Sequence, residues 1–112
     1  MRYADIVLPL AQPLYTFAVA GGVTLCEGMA VVVPFGRSKI YTGIVWRLHD
    51  RRPDFKTVKT VSRVLYGTPL LDERQRRFWE WVADYYMCTL GEVMRVALPS
   101  LMKPSGHGEE EF

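Results

Sequence analysis

Imidazole and thiol groups are scarce in this chain: 112 residues hold two cysteines, Cys26 and Cys88, and two histidines, His49 and His107. The cysteines lack the doubled Cys/His spacing that a tetrahedral metal site requires, so both are expected as small buried apolar groups, neither zinc ligands nor a disulfide. A nucleophilic Cys or Ser needs a nearby base, and with His107 in the C-terminal tail only His49 remains. At a strand end, His49 is expected to be solvated or partly packed. The carboxylates Asp5, Asp50, Asp54 and Asp84 show no pairing that would tune one of them for proton transfer. Glycines nowhere assemble into G-x-x-x-x-G-K-S/T or G-x-G-x-x-G, which argues against nucleotide hydrolysis. No apolar run approaches the ~20 residues of a membrane helix. The opening residues, interrupted by Asp5, Pro9 and Pro13, do not resemble a signal peptide. Together these absences predict a soluble, cytoplasmic chain that is not an enzyme in its own right, binds no membrane and needs no metal or cofactor.

Positive charge, by contrast, is concentrated. The formal net charge is only +2, yet Glu109, Glu110 and Glu111 sit in a tail with little to bury. Between Arg37 and Arg77 eleven basic residues face four acidic ones. Such a segment presents a positive face, which suits phosphate binding or simple solubility.

The first two-thirds of the chain is written in short apolar or alternating runs separated by Gly and Pro. Strands are predicted at Tyr3 to Leu8, Leu14 to Val19, Met29 to Val33 (ended by Pro34), Ile40 to His49, and Thr57 to Leu65. Gly36, Arg37 and Ser38 mark the tip of a hairpin. Ile44, Trp46 and Leu48 alternate with Val45, Arg47 and His49, predicting one dry and one wetter face on that strand. The grammar then becomes helical. Asp72 with Gln75 forms a capping-box pattern, and Phe78, Trp81, Val82 and Tyr85 fall at i, i+3, i+4 and i+7, predicting a core-facing stripe widened by Trp79 and Tyr86. A second short helix is expected after Thr89, through Glu92, Val93 and Met94, ending before Pro99. The fold class expected is therefore α+β and β-dominated: a small curled sheet or partial β-barrel, OB-like, of five to six strands, followed by one or two C-terminal helices. One domain is expected over residues 1–103, with 104–112 a disordered linker or truncated end.

Phe17, Phe35 and Tyr41 stand apart from the helical aromatics, because they lie beside loops and the hairpin, near Gly36, Arg37 and Lys39. An aromatic face next to an exposed backbone and a cation is equipped to stack one unpaired base while holding its phosphate.

The order of landmarks is more specific than any one of them. Ile6-Val7-Leu8-Pro9, Thr16-Phe17, Glu27-Gly28, the VVVPFG run Val31 to Gly36, Gly43-Ile44-Val45, Lys59, Ala83-Asp84-Tyr85-Tyr86, Gly91-Glu92-Val93 and Ala97-Leu98-Pro99 follow one another at characteristic separations. In that order they resemble the N-terminal 3′ DNA-binding domain family of PriA, also called primosomal protein N′, the replication-restart helicases. The resemblance covers residues 1–103. It implies a β-rich domain that captures the 3′ end of the nascent leading strand at a stalled or branched fork, without base specificity. It also implies partners beyond the forked DNA: the remainder of the helicase, which would carry the ATP and zinc sites, and other primosome or single-strand-binding proteins.

Residue by residue, the resemblance assigns Phe17 to packing on the terminal base, Gly36 to close backbone approach, and Lys59 to the phosphate or sugar side. Many relatives place an acidic residue after the Phe; here Ala18 offers no polar side chain. Arg37, Lys39 and Arg63 are nominated as phosphate contacts on placement alone. The alternative is a protein-interaction module docking on the helicase body or replisome partners.

Overall fold

Branched and aromatic residues are densest in the segments that form the sheet. In a computed structural model describing residues 2–11, 14–36, 39–52 and 58–99, the strands among those residues are β1 (Arg2–Val7), β2 (Tyr15–Val19), β3 (Ala30–Phe35), β4 (Lys39–His49) and β5 (Arg63–Leu65). Two helices follow, α1 (Glu73–Tyr85) and α2 (Leu90–Ala97). The strands pair antiparallel in the spatial order β2-β1-β4-β3-β5, giving the β-dominated α+β domain expected. The sheet curls until its two ends touch at one parallel bridge between Ala18 and Thr60. There the Ala18 N–H donates to the Lys59 carbonyl (2.9 Å) and the Val61 N–H to the Ala18 carbonyl (3.0 Å). This seam shields an edge that would otherwise be open to pairing, but with so short a contact the barrel stays unclosed.

Each face of the sheet has its own core. Phe17 and Val19 from one end pack with Val61 from the other, together with Ile6, Val33 and Val45. A cluster shared by both ends must lie inside the curl. The outer face packs Val7, Ile44 and Trp46 against Trp79, Ala83, Val93 and Met94 of the helices.

Several strand expectations are corrected. The β1–β4 register shifts between Asp5 and Ile6, and past this bulge Leu48 joins Val45 on the inner core, while Ile44 and Trp46 serve the outer one. Residues 42–46 are consequently buried on both faces, and the wetter face predicted for β4 does not exist there. Pro34 does not end β3, because it pairs with Ile40 and the strand continues to Phe35. The Val32 carbonyl accepts from Ser62 on the β5 side; Pro34 directs its missing donor to that same side, beyond the reach of β5, so no ladder bond is lost. The strand expected from Thr57 to Leu65 is reduced to three residues. Residues 59–61 instead use their backbone on β2, and Thr57 lies outside the described residues.

Both helices begin with reciprocal capping boxes, Asp72 with Gln75 and Thr89 with Glu92. The face that α1 buries is the larger correction. Trp79 (6% exposed) and Ala83 point inward, whereas Phe78, Trp81 (57%), Tyr85 and Tyr86 are exposed. The outer core selects Trp79 because its ring packs on Trp46, centroids 5.8 Å apart, while the Trp46 indole N–H donates to Glu80 Oε2 at 2.8 Å. The exposed rings stack along the helix, Phe78 on Trp81 at 6.1 Å and Trp81 on Tyr85 at 5.1 Å. Cys26 is also exposed and Cys88 half-buried, against the expectation of two buried thiols. No helix among the described residues is long and apolar enough to cross a membrane.

Candidate nucleic-acid interface

Successive residues of a strand face opposite ways. On β2, Tyr15 and Phe17 therefore turn into the curl and Thr16 and Ala18 away from it. The β3–β4 hairpin brings Phe35 and Gly36 to the same place, and the seam brings Val58 and Lys59. These side chains line an open cavity of about 200 Å³. Sites for drug-sized ligands run ~300–1,000 Å³, so this one has room for a single ring system and not for a stack of bases.

Phe17, Gly36 and Lys59 thus come together in one cavity. Phe17 is only 4% exposed and belongs to the inner core, so it forms the floor. The ring walls are Tyr15 and Phe35, which meet edge to face at 5.0 Å, with Tyr41 supporting Phe35 from behind at 5.6 Å. Gly36 has φ +71° and nothing within 4 Å of where a Cβ would sit, so glycine answers a backbone requirement here and not a crowding one. Its carbonyl accepts from Lys59 Nζ. The ammonium is thereby held at the cavity rim, and the backbone pairing of Lys59 with Ala18 fixes its stem.

Ala18 itself does not line the cavity; its side chain is buried on the other side of β2, and its backbone makes the seam. Lys39 and Arg63 are exposed, opposite Phe35 and Val32 in the sheet, and neither lines the cavity. Arg37 lies outside the described residues. Residue-level reading missed Tyr15 and Val58. Tyr15 was accessible to it, standing two positions before Phe17 on the same strand face; Val58 was not, because only the seam brings it there.

At one corner His49 is partly packed, as expected, and meets Asp5. Asp5 Oδ1 accepts from Thr16 Oγ1 at 2.7 Å and lies 2.9 Å from His49 Nε2. Asp5 is thus consumed in a structural hydrogen-bond network. Among the described residues no group of three or more His, Cys, Asp or Glu could hold a metal ion.

With this geometry in view, comparison with known proteins is direct. The profile of the 3′DNA-binding domain (3′BD) of PriA matches residues 5–99. The replication restart protein PriA of Synechocystis sp. is 32% identical over 94 residues, covering 82% of this chain and 11% of that protein. PriA of Haemophilus influenzae is 31% identical over 101 residues, covering 88% and 14% respectively. PriA of Treponema pallidum is 27% identical over 77 residues, covering 65% and 12%. The chain thus spans only about an eighth of the length of the curated relatives it matches.

Proposed function

The chain belongs to the 3′ DNA-binding domain family of PriA, and from that premise we propose that the cavity at the sheet seam takes the terminal nucleotide of a free DNA 3′ end, without reading which base it is. One observation carries this: Phe17, Gly36 and Lys59 meet in a single cavity of about 200 Å³ walled by Tyr15 and Phe35. Any base offers a π-face to such walls, and stacking is sequence-tolerant. A cavity sized for one ring excludes a continuing strand and so favours a terminus. The Lys59 ammonium at the rim supplies charge for the last phosphate, and the peptide groups around Gly36 would supply the polar contact to the terminal hydroxyl. In the longer relatives the same capture would occur at the nascent leading strand of a stalled or branched fork. There it would orient an attached helicase motor, which alone would use ATP, and the domain itself would perform no reaction.

The test compares two single-stranded oligonucleotides of one sequence, one ending in a 3′-OH and one in a 3′-phosphate, by fluorescence anisotropy. Tighter binding of the 3′-OH strand, by about tenfold, is expected. Equal affinity would sink end recognition and leave a generic basic surface.

A second reading has its own support in the exposed row Phe78, Trp81, Tyr85 and Tyr86. Contiguous exposed apolar patches mark interaction surfaces, and most of a relative's length lies elsewhere, so the row would dock on the remainder of the polypeptide. Such a contact would be insensitive to added salt, whereas phosphate binding weakens steeply.

A further inference from the structure

Thr16 lines two concavities. On the inner side of β2 its neighbours Tyr15 and Phe17 reach the end-binding cavity; on the outer side Thr16 borders a larger depression of about 560 Å³. Arg47, His49, Arg51 and Arg52 surround this second space, over the carboxylate of Asp5. The wall is organised from behind. The Arg51 backbone N–H donates to His49 Nδ1 at 3.2 Å, which leaves Nε2 as the protonated nitrogen facing Asp5. With Thr16 also donating to Asp5 Oδ1, the carboxylate is turned into the wall. Tyr3 stacks on His49, ring centroids 6.1 Å apart, and its hydroxyl accepts from Arg52 Nη1 at 3.2 Å.

Three guanidinium groups therefore gather at the mouth, against the carboxylates of Asp50 and of Asp5, the latter already engaged by Thr16 and His49. The side chains of Arg47 and Arg51 make no hydrogen bond or ion pair to a described residue. Like charges gathered around one depression repel, and an anion relieves that repulsion. The planar guanidinium fork matches phosphate oxygens bidentately.

We infer that this depression holds the phosphodiester backbone of the same strand whose 3′ end occupies the inner cavity, at the internucleotide phosphates nearest the terminus. The inference rests on the end-binding reading above. It favours DNA over an acidic peptide because Thr16 joins the two spaces: a strand leaving the inner cavity over β2 arrives at the arginines within its first few nucleotides, and single strands carry one charge per nucleotide.

The decisive variant is Arg47→Gln/Arg51→Gln/Arg52→Gln in the 112-residue chain, titrated with a single-stranded octanucleotide bearing a 3′-OH or a 3′-phosphate, across a range of salt. Losing three phosphate contacts should lower the slope of log K against log salt by about 2, since each contributes ~0.7 on single strands. Octanucleotide affinity at low salt should fall about 10- to 100-fold. The ratio of 3′-OH to 3′-phosphate affinity should be unchanged. The triple Lys variant keeps the charge and should restore the slope; a Lys variant as flat as the Gln variant overturns the inference. Parental slope in the Gln variant also overturns it, and leaves the depression to an acidic protein segment. Loss of 3′-OH preference in the parent chain, with the Gln variant still flattened, would remove the end-binding reading alone.

Discussion

At the scale of residues, the ring that the sequence nominates first is the wrong one to mutate. Phe17 is a core side chain at 4% exposure, and removing a buried Phe costs ~3–5 kcal/mol of stability. A binding defect in Phe17→Ala would therefore be inseparable from unfolding. Phe35 and Tyr15 are half-buried walls of the cavity. Phe35→Ala should lose ~1–3 kcal/mol of oligonucleotide affinity if a base packs there, measured by anisotropy on protein whose thermal unfolding has been checked. Unchanged affinity would take the base away from this wall. Gly36→Ala isolates the backbone requirement. With open space at the Cβ but φ at +71°, it should cost ~1–2 kcal/mol by denaturant melt. A destabilisation near zero would show that the hairpin can relax. Phe17, Gly36 and Lys59 were legible as a set only through resemblance to a family. Strand alternation alone nominates Tyr15 as readily as Phe17, and cannot tell floor from wall.

Among the elements, what periodicity shows is existence, and what it leaves open is direction. Both helices announce themselves by capping pairs, and their starts agree with the chemistry at Asp72 and Thr89. On α1, however, two apolar stripes overlap, one through Phe78, Trp81 and Tyr85 and one through Trp79 and Ala83. Their choice depends on Trp46, which a strand remote in sequence presents to the helix. No pattern within the helix encodes that pairing. Trp79→Ala should accordingly cost ~3–5 kcal/mol, while Trp81→Ala should cost no more than the ~0.5–1.5 kcal/mol of its ring contacts, both read from urea denaturation. Equal losses at the two tryptophans would contradict the assigned face. On α2, Gly91 is an element-level device of the same kind. A Cβ there would stand 2.0 Å from the Leu10 carbonyl, so Gly91→Ala should push the helix off the end of β1 and destabilise by ~1–3 kcal/mol. The Gly-Glu-Val motif is explained by this close approach together with the Thr89–Glu92 cap, without any part in binding.

For the molecule as a whole, the cavity exists only while the sheet is curled. Tyr15 and Phe17 come from one end of the sheet, Phe35 and Gly36 from the hairpin, and Lys59 from the segment that ties the other end back. The tie consists of the Ala18 and Val61 amides at 2.9 and 3.0 Å, a far shorter ladder than the central β1–β4 and β3–β4 pairings. Local opening follows such differences, being easiest where few backbone hydrogen bonds hold an edge. The seam should therefore open well below the global unfolding free energy, and the Ala18 and Val61 amides should exchange with solvent faster than the buried Val45 amide, which donates from β4 to the Met29 carbonyl just before β3. A strand end that binds only the closed seam must stabilise it by mass action. At a ligand concentration of 100 Kd that stabilisation is ~2.7 kcal/mol, or about 100-fold slower opening-dependent exchange. Native-state hydrogen exchange with a saturating 3′-OH oligonucleotide should show that slowing at Ala18 and Val61. The 3′-phosphate oligonucleotide at equal concentration should show much less. Protection that rises equally at Val45 would mean a ligand sensing the whole fold, and protection absent from the seam would mean that DNA binds without closing it.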